Sequence, residues 1–170
     1  MAERPVRDEL LWYAVQVRAQ HEKRVAASLA GKGYEQLVPV YRLRRKWSDR
    51  TKVLELPLFP GYVFVRLDPE VRLPILTIPG VLGFVGAGRK PQPLDTKEIE
   101  YVRTVSSAGH PAKPWPFLKV GQRVRITAGA LTGVEGILVQ RRGETRVVLS
   151  VTLLQKAISV QVESDAVRSI

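Results

Sequence analysis

Residues 53–67 read VLELPLFPGYVFVRL. Two runs of β-branched and aromatic residues flank a Phe-Pro-Gly break at 59–61, and runs bounded in this way are strands. Pro60 has a fixed φ and no N–H to give to a ladder, so neither run continues through it. Along 62–67, successive side chains point to opposite faces: Tyr62 and Phe64 share one, Val63 and Val65 the other. One of those faces has to be core.

Working outward, residues 37–47, LVPVYRLRRKW, set Tyr41, Leu43 and Trp47 against Arg42, Arg44 and Lys46. That period of two predicts one half-buried strand, returned through Ser48-Asp49-Arg50 into 53–59. WYAVQVR at 12–18 predicts another strand. From His21 to Lys32, Val25/Leu29 and Ala26/Ala30 fall four apart, which predicts a helix that Gly33 ends. Asp95 and Glu98 form a capping-box pattern ahead of Ile99, Val102 and Val105, a second helix closed by Gly109. Strands with two amphipathic helices predict an α+β fold, helices packed on an antiparallel sheet.

Segment 109–116, GHPAKPWP, carries three prolines and a glycine in eight positions and reads as a stiff, extended linker. Beyond it, VRIT, VEGILV, RVVLSV and AISVQV are short β-branched runs separated by AGALTG, RRGE and LLQK, with Gly129 and Gly133 in the first turn. Such spacing predicts a small barrel. The expected division is a tail at 1–9, a first domain at 10–108, a linker at 109–117 and a second domain at 118–170.

The 170 residues include 27 Lys+Arg and 16 Asp+Glu, a net charge of +11, with the surplus present on both sides of the linker. Apolar residues make up 45%, which excludes wholesale disorder. Cysteine is absent, and His21 and His110 are too far apart for metal-ligand spacing, so no metal and no cofactor are expected. MAERPVRDELLW lacks a signal-peptide core and no stretch is apolar enough for a membrane span, so a cytoplasmic protein without a membrane partner is expected. The basic surplus points to a polyanion. GFVGAGRKP at 83–91 matches no phosphate-binding fingerprint. Glu98 and Glu100 stand two apart, pointing different ways on a helix. No catalytic set is suggested and an enzyme is not expected.

LLWYAVQVR, a basic helix, PLFPGYVFVRL, IPGVLGFVGAGRKPQPL and, after the linker, KVGQRVRITAGALTGVEGILV stand in an order that resembles the NusG-type transcription elongation factors. The last segment is similar to a KOW motif. The resemblance covers residues 11–170, and PLFPGYVFVRLDPEV with the WSDR turn is similar to specialised paralogues of the RfaH and UpxY kind. It implies an N-terminal NGN domain, an antiparallel sheet flanked by helices, followed by a small SH3-like KOW barrel. It implies a monomeric elongation and antitermination factor. Such a factor binds RNA polymerase through NGN, suppresses pausing or termination, and recruits a partner through KOW.

Carried onto this chain, the resemblance implies that Trp12, Tyr13, Phe59, Tyr62, Phe64 and Phe84 meet the clamp helices of RNA polymerase. An aromatic-lined groove suits a helix burying its apolar face, though the same aromatics can simply fill the core. Residues 42–52 hold Arg42, Arg44, Arg45, Lys46, Arg50 and Lys52 against Asp49 alone. That density suits phosphates, with Trp47 placed to stack or to anchor; a solvated strand face is the other reading. The resemblance puts this hairpin near upstream DNA. It puts Arg18, Gln20, His21, Lys23 and Arg24 near the exposed non-template strand, where ordinary helix solvation is the competing reading. Before the PGV turn the family's polar pair is replaced by Thr77-Ile78, which fits a specialised factor. Leu153, Leu154, Gln155 and Lys156 map to the KOW loop that meets ribosomal protein S10 or termination factor Rho; Leu153 and Leu154 can equally be barrel core. Strand propensity in RVVLSV and AISVQV predicts a stable barrel rather than the helical hairpin some paralogues adopt. From another class, a ribosome-associated RNA-binding KOW protein would carry long basic tails, which the sequence does not show.

Overall fold

The computed structural model describes residues 10–170; the expected tail at 1–9 lies outside the described residues. In chain order come β1 (Leu11–Val17), α1 (Glu22–Gly31), β2 (Glu35–Leu37), β3 (Val40–Trp47), β4 (Arg50–Pro57) and β5 (Tyr62–Leu67). Then follow α2 (Leu73–Leu76), β6 (Val81–Phe84), β7 (Gly86–Ala87), β8 (Lys90–Pro91) and α3 (Thr96–Ser107). The chain ends with β9 (Ala112–Trp115), β10 (Arg123–Ile126), β11 (Glu135–Arg141), β12 (Glu144–Val151), β13 (Lys156–Val162) and β14 (Val167–Ser169). It divides into two compact units, 10–38 with Phe59–Thr96, and Pro39–Leu58 with Lys97–Ile170. No helix among the described residues is long and apolar enough to cross a membrane.

The first unit is built on an antiparallel sheet in the order β2-β5-β1-β6. Register pairs Tyr13 with Val65 and Val15 with Val63, so these side chains share a face. The apolar stripe of α1, Val25, Ala26 and Leu29, closes over that face with Ile75 and Ile78. Truncating a buried leucine such as Leu29 costs about 2–5 kcal/mol, so this seam holds the unit together. The opposite face is no more open. Phe64, paired with Ala14, is 0% exposed and meets Phe59 edge-on at 5.3 Å.

Three turns gather at one end of the sheet. Val17 N–H donates to the Gly61 carbonyl at 2.8 Å, and Gly61 N–H donates to Oε1 of the buried Glu22 at 2.9 Å. Arg18 N–H donates to the Gly80 carbonyl at 2.9 Å. Gly80 has φ +96°, and a Cβ there would stand 2.9 Å from His21 Cδ2, so only glycine fits.

In the second unit, β3 and β4 pair from Val40↔Pro57 to Trp47↔Arg50 and form a two-stranded sheet of their own. Two expectations are corrected here. Pro39 splits 37–47 into β2 and β3, because proline cannot give a ladder hydrogen bond. The half-buried strand is in fact exposed from Arg42 to Trp47, because a two-stranded ribbon covers neither of its own faces and must pack on another layer to bury one.

The other sheet runs β14-β10-β11-β12-β13-β9, all antiparallel, around a core that includes Ile126, Val147, Leu149, Ile158 and Val160. Residues 144–162 are strand apart from one short turn, in line with their β-branched composition. The segment expected as a linker contributes β9, paired with β13 as Trp115↔Ala157 and Lys113↔Ser159. Pro114 is tolerated because β9 lies at the sheet edge. Helix α3 belongs to this unit as well. Its Tyr101 hydroxyl bonds the Glu135 carboxylate, and burial first, then that carboxylate, raises the phenol's pKa.

Candidate functional site

The six aromatics expected to line one groove divide between the two faces of the sheet. Phe84 sits opposite Val15 and meets Tyr13 edge-on at 6.4 Å, beneath α1. Phe59 and Phe64 lie on the other side. Trp12, Tyr13, Phe59 and Phe64 are all buried; Tyr62, across from Gln16, and Phe84 are half-buried. The expectation of one groove lined by all six is therefore corrected: alternation along β1 sends Trp12 and Tyr13 to opposite faces, Trp12 with Tyr62 and Phe64, Tyr13 with Phe84. Burial raises the Tyr13 phenol's pKa, with Asp68 adding to it.

Arg18, Gln20, Lys23 and Arg24 are exposed around the start of α1, and His21 is half-buried. Gln20 takes φ +65°, turning the chain so that His21 packs on Gly80, with its Nδ1 3.0 Å from the Ala19 carbonyl. The fold thus brings this patch to the turns at 59–61 and 79–80. The buried Glu22, which ties α1 to Gly61, escaped the sequence reading; its one signal is an acidic residue in the first turn of a helix.

The hairpin's cations separate by register. Arg45↔Lys52 and Trp47↔Arg50 put three cations around Trp47 on one face. Arg42↔Glu55, Arg44↔Val53 and Lys46↔Thr51 define the other, where Glu55 offsets one charge. Trp47 is 61% exposed, so it does not anchor the hairpin. At the base of its face, Tyr41, Leu54 and Leu56 are half-buried. The result is a ribbon with a fixed base and a basic, aromatic tip, a shape able to lie along a phosphate backbone.

In the barrel, Leu154 is buried and Leu153 half-buried. Leu154 is thus core, because the turn at 152–154 directs it inward. Gln155 adopts φ +55°, a left-handed conformation that glycine takes more readily than other residues. Lys156 is exposed. Glu98 of α3 grips the start of this loop. Thr152 N–H donates to both carboxylate oxygens at 3.1 and 3.2 Å, and its hydroxyl donates at 2.6 Å. Sequence spacing offered Glu98 only as a capping residue, since its partner lies 54 positions away.

A family model described as transcription termination factor nusG matches residues 10–103. NusG of Thermus thermophilus is 29% identical over 165 residues, 82% of this chain and 89% of that protein. NusG of Lactococcus lactis is 29% identical over 174 residues, 94% and 92% of the two chains. Both are described as transcription termination/antitermination proteins. A solved structure of Thermotoga maritima NusG matches with a TM-score of 0.54 at 23% identity, covering 97% of this chain and 99% of that one. At that identity the likeness speaks for the fold.

Proposed function

The chain belongs to the NusG family, and from that premise we propose that it is a non-enzymatic elongation and antitermination factor. In this reading it binds RNA polymerase through the sheet of its first unit, holds the elongating enzyme against pausing, and offers the barrel loop at 153–156 to S10 or Rho. The observation that carries the nucleic-acid half is the hairpin. Its strands pair only with each other, its tip is exposed on both faces, and its cations are ordered by face. Upstream duplex DNA suits it: phosphates supply the counter-charge and the ribbon needs no sequence readout.

For the polymerase half, the half-buried Tyr62 lies on the Phe64 side of β5, with Phe59 and Phe64 forming an apolar floor. An amphipathic helix of the clamp would cover Tyr62 and use its hydroxyl. The test is binding of the full chain to core RNA polymerase, wild type against Tyr62→Ala. Truncating a tyrosine at the centre of such a contact costs on the order of 2 kcal/mol, about thirtyfold in affinity. Melting curves establish that the variant is folded. A folded Tyr62→Ala variant that binds as well as wild type removes this surface from the reading; a wild type that does not bind removes the polymerase role itself.

A further inference from the structure

The barrel carries a second basic and aromatic cluster, distinct from the hairpin, on the edge strand that the prolines disguised. Register places Lys113 opposite Ser159, Trp115 opposite Ala157, and Arg146 opposite Gln161, so the three side chains share one sheet face. One part of Trp115 covers Ile137, Val148 and Ala157; the rest is exposed. Lys113 Nζ stands 5.3 Å and Arg146 Cζ 5.6 Å from its ring centroid.

Arg146 is committed. Its Nε donates to Glu144 Oε2 at 3.1 Å and its Nη1 to Ser159 Oγ at 3.0 Å, so the one nearby carboxylate is already neutralised. Arg141, the last residue of β11, and Arg142, in the turn to β12, are exposed; Arg141 stands directly across from Glu144, but that carboxylate is paired with Arg146. With Lys113, Trp115 and Glu144 they line a concavity of about 330 Å³. The site therefore presents an aromatic ring set among Lys113, Arg141 and Arg142, with a single carboxylate, Glu144, that Arg146 already holds.

We propose that this face binds a single strand of nucleic acid, with Lys113, Arg141 and Arg142 on successive phosphates and an unpaired base on Trp115. Each part of the cluster is needed for that ligand. Phosphates take the cations, and a base takes the ring, which every nucleotide can do because every base has a π-face. A duplex keeps its bases stacked on one another and leaves Trp115 unused. An acidic peptide satisfies the cations but has no use for the ring. This inference does not rest on the polymerase or hairpin readings.

The test uses the full chain carrying Arg45→Gln, Arg50→Gln and Lys52→Gln, which silences the hairpin tip. Fluorescein-labelled 12-mers of U and of dT, and a 12-base-pair duplex, are titrated by anisotropy between about 50 and about 200 mM salt. Adding Arg141→Gln/Arg142→Gln weakens single-strand binding about tenfold, and the log–log salt slope becomes shallower by about 1.4, two phosphates at about 0.7 each. Trp115→Leu, which still covers the apolar patch, weakens binding about tenfold with an unchanged slope, because stacking releases no counterion. Trp115→Phe restores most of the loss, and melting curves confirm that each variant is folded. A preference for U or for dT identifies the strand as RNA or DNA. Single-strand affinity that neither variant moves overturns the proposal. So does an equal loss on the duplex, or a polyglutamate peptide that outcompetes the oligonucleotides.

Discussion

The hairpin's two faces predict a result that overall charge does not. A duplex can lie against only one face of a two-stranded ribbon, so at most three of the six cations reach phosphates at once. Arg45, Arg50 and Lys52 surround Trp47 with no carboxylate opposite, whereas Arg42, Arg44 and Lys46 share their face with Glu55. The first face is therefore the contact face. Three phosphate contacts at about 0.9 each contribute a salt slope of about −2.7 on duplex DNA. A fourfold rise in salt, from about 50 to about 200 mM, then removes about 40-fold of affinity through the hairpin. The perturbation is Arg45→Gln/Arg50→Gln/Lys52→Gln compared with Arg42→Gln/Arg44→Gln/Lys46→Gln, each titrated with a labelled duplex across that salt range. Melting curves control for folding. The first variant loses about 2.7 units of slope; the second loses less than one. Equal losses from the two triples refute the one-face reasoning and leave only diffuse attraction to net charge. No loss from either removes the hairpin from nucleic-acid binding.

Three further outcomes follow from the packing. Glu22→Ala leaves the Gly61 N–H without its carboxylate acceptor and destabilises the first unit by about 1–3 kcal/mol, read as a lower urea midpoint, while Glu22→Gln keeps an acceptor and loses less. Gly80→Ala forces a left-handed φ of +96° on a residue with a Cβ that would press on His21, a cost of about 1–2 kcal/mol from the backbone alone, partly relieved by His21→Ala in a double-mutant cycle. Glu135 has its pKa lowered from 4.5, chiefly by the hydrogen bond from Arg125, which outweighs desolvation. A lowered folded-state value means its contribution is complete above pH 4.5 and is lost as the pH falls through the folded value. Glu135→Gln should therefore flatten the acid limb of the unfolding profile and lower stability at neutral pH by an amount that does not vary with pH there.

Local pattern carried the fold where it had one outcome. The apolar stripe of Val25, Ala26 and Leu29 announced α1, and the β-branched and aromatic run after the Phe-Pro-Gly break announced β5, which is buried on both faces. It failed where a rule had two outcomes. The alternation of 40–47 is real, but a period of two states only that faces differ, and whether either is covered depends on what packs against it; from Arg42 to Trp47 both faces are exposed. The prolines of 109–116 were read as stiffness, yet proline is also admitted on edge strands, and the end of the barrel sheet is such a place. Of the candidate sites, residues close in sequence were legible as groups. Glu22 with Gly61, Glu98 with Thr152, and Trp115 with Arg146 were not, because each pair is joined by the fold across more than 30 positions.

The hairpin tip also breaks the rules that stability alone would impose. Arg45 faces Lys52 directly across the ribbon, and like charges in that position are destabilising. Trp47 and Val53 are 61% and 52% exposed, although a strand kept soluble by charge needs no bare apolar surface. A hairpin selected only for solubility would alternate charge signs across the pair and bury or replace its tryptophan. Local conflicts that the rest of the molecule tolerates mark places where a partner supplies what the fold withholds. A polyanion relieves the Arg45–Lys52 repulsion, and the sugars of the backbone cover Trp47. Reversing the sign at one position should therefore separate the two demands: Lys52→Glu raises the hairpin's own stability and abolishes its share of duplex binding. A Lys52→Glu variant that is both more stable and equally able to bind would show that the repulsion serves no ligand.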